Sequence, residues 1–303
     1  MNRIINKISD GLITYKNSGA TRFFHGRGQL YEGLGDINVD WFSPVLLITL
    51  YSEPEDMWWS DFKSEVSPFD KDVGCILVQR RYLRGGPVEI LMGEIPQQVL
   101  AIEHGLKYRL SFGDKQNIGF FMDMEPGRHW LSTISDGKKV LNLFSYTCSF
   151  SVAAIAGGAH SVVNVDMSSA ALTVGRENHQ LNQHQTRLQR DIQFLSHDIF
   201  RSWKKIVNKG PYDIVIIDPP SRQRGSFIAD KDYGRVLRRL ESLLPKGGDI
   251  LACLNAPELG EAFLTTLFAK ESPSAKLVGR LQNRVDFPEK DSQRSLKMLH
   301  YTL

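Results

Sequence analysis

The chain has 303 residues, with 37 Lys and Arg against 34 Asp and Glu, a formal net charge of +3. No apolar run approaches the roughly 20 residues of a membrane helix, and three widely spaced cysteines, Cys75, Cys148 and Cys253, exclude a disulfide framework. No CxxC pair or His/Cys cluster points to zinc, so no metal is expected. The N-terminus lacks the continuous apolar core of a signal peptide, so a reducing cytoplasm is the expected compartment. The mild positive charge permits a nucleic-acid partner without requiring one.

Residues 1–43 are polar and glycine-rich without a clean period, and "FFHGRGQLYEGL" mixes aromatics with glycines and basic residues. An irregular N-terminal arm is expected there. From Ser43 the pattern sharpens. "PVLLITLY" reads as a strand, and "PEDMWWSDFKSEV" as a helix with Met57, Phe62 and Val66 on one face. "CILVQRRYL" and "VEILMGE" read as strands across a turn, and "LKYRLSF" alternates as a half-exposed strand. Residues 44–115 are therefore expected to form a small α+β domain. Its Arg80, Arg81 and Arg84 could meet phosphate or simply form a solvated hairpin face.

Over residues 116–303 strands alternate with helices: "KVLNLF", "FSVAAIAGGA", "SVVNVD", "SSAALTVGRENHQLNQ" with Ser168 or Ser169 as N-cap, "YDIVIID", "DYGRVLRRLESLL", "GDILACLN" and "PELGEAFLTTLFAKE". This rhythm predicts an α/β fold, a mostly parallel doubly wound sheet, with a C-terminal antiparallel hairpin in "AKLVGRLQNRVDFPEKDSQRSLKMLHYTL". Ligands in such sheets lie beyond the carboxyl ends of the strands. There the chain places "NLFSYTCSF", Asp166, Asp198 and Asp218-Pro219-Pro220. Neither GxGxxG nor a Walker A loop is present. An acid such as Asp166 can accept hydrogen bonds from both hydroxyls of a ribose, and an acid such as Asp198 can meet an adenine amino group.

Together, "GFFMDMEPGR", "VLNLFSYTCSFSVAAIAGGA", "VVNVDMSSAAL" and "DIVIIDPPS" resemble the S-adenosylmethionine-dependent Rossmann-like methyltransferases. More narrowly, they resemble the bacterial 23S rRNA enzymes that modify cytosine carbon-5 or guanine, and their paralogues. The resemblance covers roughly residues 100–303. It implies a methyltransferase with S-adenosyl-L-methionine as cofactor and RNA, ribosomal in kind, as partner, with oligomeric state open and a homodimer among the alternatives. Asn142, Phe144, Ser145 and Tyr146 would line the methionine end, Asp166 and Met167 the ribose region, and Asp198 and Ile199 the adenine. Asp123 and Arg128 would help close the pocket.

Three departures stand out. Cys148 and Ser149 occupy positions where the family often has two glycines, so crowding of the turn is expected. Met124 and Glu125 follow Asp123 where Asp-Gln-Arg is frequent. Only some forty residues precede the first clear strand, so the family's RNA-binding PUA module is not expected in this sequence.

On the target side, Asp218 and the carbonyls of Pro219 and Pro220, which compete with no N–H, could grip the amino group of a base. Arg222 and Arg224 could neutralise neighbouring phosphates. A cytosine carbon-5 enzyme needs a thiolate. Cys253 lies two residues before Asn255, where the resemblance would place that cysteine, so Asn255 tilts the expectation to guanine and serves as a second polar contact. A noncatalytic RNA-binding or ribosome-assembly factor with this fold, and a methyltransferase for a non-RNA substrate, remain alternatives.

Overall fold

The computed structural model describes residues 1–16, 19–113, 116–183, 191–223 and 227–303, with residues 222 and 223 described through their backbone. The chain divides into two compact units, Met1–Met122 with Arg284–Lys290, and Asp123–Asn283 with Asp291–Leu303.

The first unit begins with α1 (Asn2–Tyr15), β1 (Thr21–His25), β2 (Ile37–Phe42), β3 (Val45–Leu50) and α2 (Asp56–Val66). It continues with β4 (Cys75–Arg80), β5 (Val88–Gly93) and the hairpin β6 (Leu100–Glu103) and β7 (Leu106–Arg109). The strands β1 to β5 form one sheet in sequence order. All neighbours are antiparallel except β3 and β4, which α2 joins as a crossover.

Residues 1–43 are thus not an irregular arm. Ile4, Ile8 and Leu12 recur every fourth residue on α1 and are buried. Gly11 lets the helix approach β1, since a Cβ there would lie 2.5 Å from the Phe23 ring. Phe24 stacks on Tyr31 and Phe23 on Trp41. The apolar stripe is narrow, so the segment reads as polar. The expected boundary at 115 also differs, because Arg284–Lys290 belongs to this unit and local periodicity cannot show such a return. On α2 the inward face is Trp59, Phe62 and Val66, while Met57 is exposed.

The second unit contains α3 (Glu125–Ile134), β8 (Lys139–Leu143), α4 (Ser149–Ala156), β9 (Ser161–Asp166), α5 (Ser169–Leu181), β10 (Asp191–Ser196) and α6 (Trp203–Val207). Next come β11 (Ile214–Ile217), the short β12 (Arg222–Gln223) and β13 (Phe227–Ile228), α7 (Ala229–Leu237) and α8 (Leu240–Leu243). It ends with β14 (Asp249–Leu254), α9 (Glu261–Glu271), β15 (Lys276–Arg280) and β16 (Lys297–Thr302). The seven-stranded order is β10-β9-β8-β11-β14-β16-β15. The first five strands are parallel, and β16 runs antiparallel to both neighbours. This bears out the expected Rossmann-like sheet with its terminal hairpin.

Each central strand is buried on both faces. Leu141, Leu143, Val163, Val165, Val215 and Ile217 share a core with α6 to α9. Val140, Val162, Ile214, Ile216 and Leu251 pack with residues of α3 and α4. Gly127 brings α3 close to the sheet, where a Cβ would meet Leu251, Met298 and Phe150 at 3.1 Å. The direction of strand addition reverses between β8 and β11, so their carboxyl ends mark the switch point. Among the described residues, no helix is long and apolar enough to cross a membrane.

Candidate active site

The loop from β8 to α4 curls tightly. Phe144, Tyr146 and Cys148 have φ of 58°, 46° and 64°, left-handed values without a glycine among them. Each costs about 1 kcal/mol for an L-residue, so the surroundings must hold the loop. Ser145 N donates to Val165 O at 3.1 Å and Cys148 N to Ser145 O at 2.7 Å. Tyr146 N donates to Asp166 Oδ2 at 2.8 Å. From α5, Asn178 Nδ2 donates to Thr147 O at 2.9 Å. Asn178 escaped the sequence reading; its signal is a fully buried Asn one turn after Gly175 on an otherwise amphipathic helix.

Gly175 also answers the expected crowding. A Cβ at 175 would lie 2.5 Å from Cys148 Sγ, so the thiol packs into space that this glycine leaves. Burial pushes that thiol up to about 12, and it stays neutral. Ser149 begins α4 and is half-buried.

Asp166 ends β9. Its Oδ2 accepts from Tyr146 N and its Oδ1 from Ser168 N, both at 2.8 Å. A carboxylate oxygen has two acceptor sites, so this half-exposed group retains capacity on both oxygens. Met167 beside it is exposed. Ser168 caps α5, accepting from Ala171 N at 3.1 Å. Asp198 caps the next turn through Phe200 N at 2.9 Å, with Arg201 Nε at 3.4 Å from its other oxygen. Ile199 turns its side chain into the core, and its carbonyl accepts from Ser202 N at 3.2 Å.

Asn142 does not line an open surface. It is 1% exposed and lies opposite Asn164 in the β8–β9 register, donating to Asn164 Oδ1 at 3.0 Å. Asn164 Nδ2 donates to Ser151 Oγ at 3.0 Å, and Ser151 Oγ lies 2.8 Å from His179 Nε2. Burial lowers His179 to about 4, so the ring is neutral and its tautomer sets which of Ser151 Oγ and Nε2 donates. This polar chain ties β8, β9, α4 and α5 together beneath the loop. The pairing of asparagines on adjacent strands was the signal.

Across the switch point, Asp218 follows β11. Its carboxyl is pushed up to about 7, chiefly by burial, with Asp123 adding to the rise and Arg128 opposing it. Asp123, Arg128 and Asp218 are thus brought together, and Arg128 is 1% exposed. Pro219 is buried and Pro220 half-buried. Ser221 Oγ donates to the Asn255 carbonyl, binding the β11 loop to the β14 loop. The Asn255 side chain is exposed at the rim. Two further residues brace the loop after β14. Tyr233 of α7 donates its hydroxyl to Cys253 O at 3.0 Å, and the fully buried Lys297 donates to Ala256 O at 2.9 Å. Burial lowers Lys297 to about 8. Neither was visible in sequence; a lysine starting a core strand was the only hint.

Cys253 is 0% exposed, and burial raises its thiol well above its ordinary value, with Asp218 and Asp123 adding to the rise. It packs with Ile216 and Met298 and is unsuited to be a thiolate nucleophile. Arg224 lies outside the described residues, as does the Arg222 side chain. For the Arg80 hairpin, the structure favours the solvated hairpin face of the two alternatives. Arg80 is held by Glu89 at 2.7 Å and Tyr82 at 2.8 Å, and lies over Trp59. Arg81 reaches Asn117 at 3.2 Å and lies over Tyr51, while Arg84 is exposed. Among the described residues, no group of three or more His, Cys, Asp or Glu is placed to hold a metal ion.

The comparisons agree with this geometry. Residues 21–302 match the family model of S-adenosylmethionine-dependent methyltransferases. The chain is 30% identical over 264 residues to a Bacillus subtilis (strain 168) protein named "Putative ribosomal RNA large subunit methyltransferase YwbD", covering 82% of this chain and 64% of that one. It is 37% identical over 168 residues to the ribosomal RNA large subunit methyltransferase I of Aeromonas hydrophila subsp. hydrophila, covering 54% and 42%. The crystal structure of SMU.776, "a putative methyltransferase complexed with SAH", superposes with a TM-score of 0.85 at 25% identity, covering all of this chain and 81% of that one. The chain spans less than two thirds of the length of either curated relative. With a strand-end acid that keeps open acceptor sites, a braced loop at the switch point and a match over nearly its whole length, the chain belongs to the S-adenosylmethionine-dependent methyltransferases.

Proposed function

We propose that the chain transfers a methyl group from S-adenosylmethionine to a base of large-subunit ribosomal RNA, in the cytoplasm. The observation that carries the reading is the pairing, across one switch point, of Asp166 with free acceptor sites and an Asp218 whose carboxyl sits near neutrality. The names of the relatives support the RNA class.

The residues present fit the cofactor. Asp166 can accept from ribose hydroxyls, Met167 offers an exposed apolar side chain beside it, and Asp198 stands at the end of the neighbouring strand. Phe144, Ser145 and Tyr146 form the curled loop at the methionine end, with Asn142 supporting it from below. When bound, S-adenosylmethionine supplies a methyl group on a sulfonium, ready for direct displacement. Asp218 and the Pro219 and Pro220 carbonyls hold the amino edge of the base, and Asn255 offers a further polar contact at the rim. A carboxyl near 7 can also take the proton released when a nitrogen is methylated. Burial sets most of that value, and Asp123 and Arg128 adjust it in opposite directions. The buried, neutral Cys253 argues against a covalent route to cytosine carbon-5, and guanine is favoured.

The test is transfer of tritiated methyl from S-adenosylmethionine to large-subunit rRNA, offered naked and as assembled particles from cells lacking this protein. The expected result is label in RNA, recovered in one modified guanine on nuclease digestion and mass spectrometry. Absence of label from both substrates contradicts the reading.

A further inference from the structure

The surface formed by α6 and α7 carries a charge pattern that the catalytic reading does not use. Arg235 of α7 and Arg239, in the turn between α7 and α8, are both exposed. Arg235 lies 3.9 Å over the ring of Phe200, and Arg239 5.8 Å over the ring of Trp203. Phe200 and Trp203 meet edge to face at 6.4 Å. Around this two-by-two array stand Arg201, Lys204, Lys205 and Lys209, all exposed. Two carboxylates answer these six cations: Asp198 faces Arg201 at 3.4 Å, and Asp232 faces Arg235 at 2.8 Å. Among the described residues, Lys204, Lys205 and Lys209 form no ion pair.

The patch is continuous with the site. Phe200 stacks on Phe227 at 6.3 Å, and Phe227 meets Phe144 of the curled loop at 5.1 Å. A row of rings therefore runs from the switch point to the basic face. The arginines lie over the rings of Phe200 and Trp203 and leave bases less ring to stack on. What the face presents is guanidinium groups over aromatic rings and exposed ammonium groups. That donor set recognises phosphate and carries no base preference.

We infer that this α6–α7 face holds the phosphate backbone of the RNA strand that flanks the target base, independently of sequence. The inference rests on the RNA reading above and assigns that substrate a second point of contact.

The test is fluorescence anisotropy with a labelled, single-stranded 30-nucleotide RNA of mixed sequence, titrated at several potassium chloride concentrations. It compares wild type with the triple variant K204E/K205E/K209E and with R239Q. Binding of S-adenosylmethionine by calorimetry checks that each variant is folded. The triple variant should bind RNA at least tenfold more weakly. The slope of log K against log salt should become shallower by about two, at roughly 0.7 per phosphate contact. Arg239→Gln should show a smaller change in the same direction, and cofactor affinity should hold in both. Unchanged affinity and slope in the triple variant overturns the inference while leaving the RNA reading intact. Failure of the wild type itself to bind RNA sinks that reading and the inference with it. Loss of binding to a polyglutamate probe with RNA affinity unchanged would assign the face to an acidic protein, and also overturns it.

Discussion

On the β8–β9 side of the switch point, the loop from Phe144 to Cys148 is held through its own main chain. Its N–H groups donate to Val165 O and Asp166, and its carbonyl at Thr147 accepts from Asn178. On the β11–β14 side, hydroxyl and ammonium groups reach in to main-chain carbonyls: Tyr233 to Cys253, Ser221 to Asn255 and Lys297 to Ala256. The first side fixes a strained backbone through its own main-chain hydrogen bonds. The second leaves Asp218 shared among opposing influences, near neutrality. A cofactor common to many enzymes calls for a rigid cradle, whereas proton handling at the target calls for a group that titrates where the enzyme works.

The comparison breaks most sharply at Asp218. Its folded-state carboxyl keeps a proton up to about 7, whereas an unfolded chain releases it near 4. The native state therefore holds more protons between those values, and its stability falls as pH rises through that window, then levels off above it. Asp218→Asn should cut methyl transfer on the order of a hundredfold or more. It should raise the melting temperature relative to wild type more at pH 8 than at pH 4, read by thermal scans at both. A wild-type rate that ignores pH between 6 and 8 would count against the proton role.

The β8–β9 side is sharpened by a double substitution. Gly175→Ala places a Cβ against Cys148 Sγ and should destabilise by about 1–3 kcal/mol. Adding Cys148→Gly removes both the clash and the left-handed strain, so the pair should recover most of that loss in urea unfolding. No recovery would show that the two residues do not compensate each other. A smaller effect is expected on the β11–β14 side. Tyr233→Phe deletes one hydroxyl bond to Cys253 O and should cost about 1 kcal/mol. It should lower the turnover rate more than cofactor affinity, as steady-state kinetics and calorimetry would show.

The sheet was legible because strands buried on both faces read as short apolar runs, as in "DIVIID", and because an acid marks the strand ends at Asp166 and Asp218. The N-terminal helix was not, because three apolar side chains among polar neighbours give α1 too thin a stripe. In the site, sequence reached the residues on the strand ends but not their supports. Gly175 makes room for Cys148 from a different element, and nothing local to either position shows it. Asn142 looked like a ligand-lining residue, yet the register that sets it opposite Asn164 buries it. Each miss is a long-range pairing that only the fold creates.

The most direct test of the account is calorimetric titration of S-adenosylmethionine into wild type, Asp166→Ala and Asp218→Asn. The account predicts binding by wild type and Asp218→Asn with similar affinity, and loss of at least a hundredfold in Asp166→Ala. Equal affinity in all three, or no binding by the wild type, would contradict it.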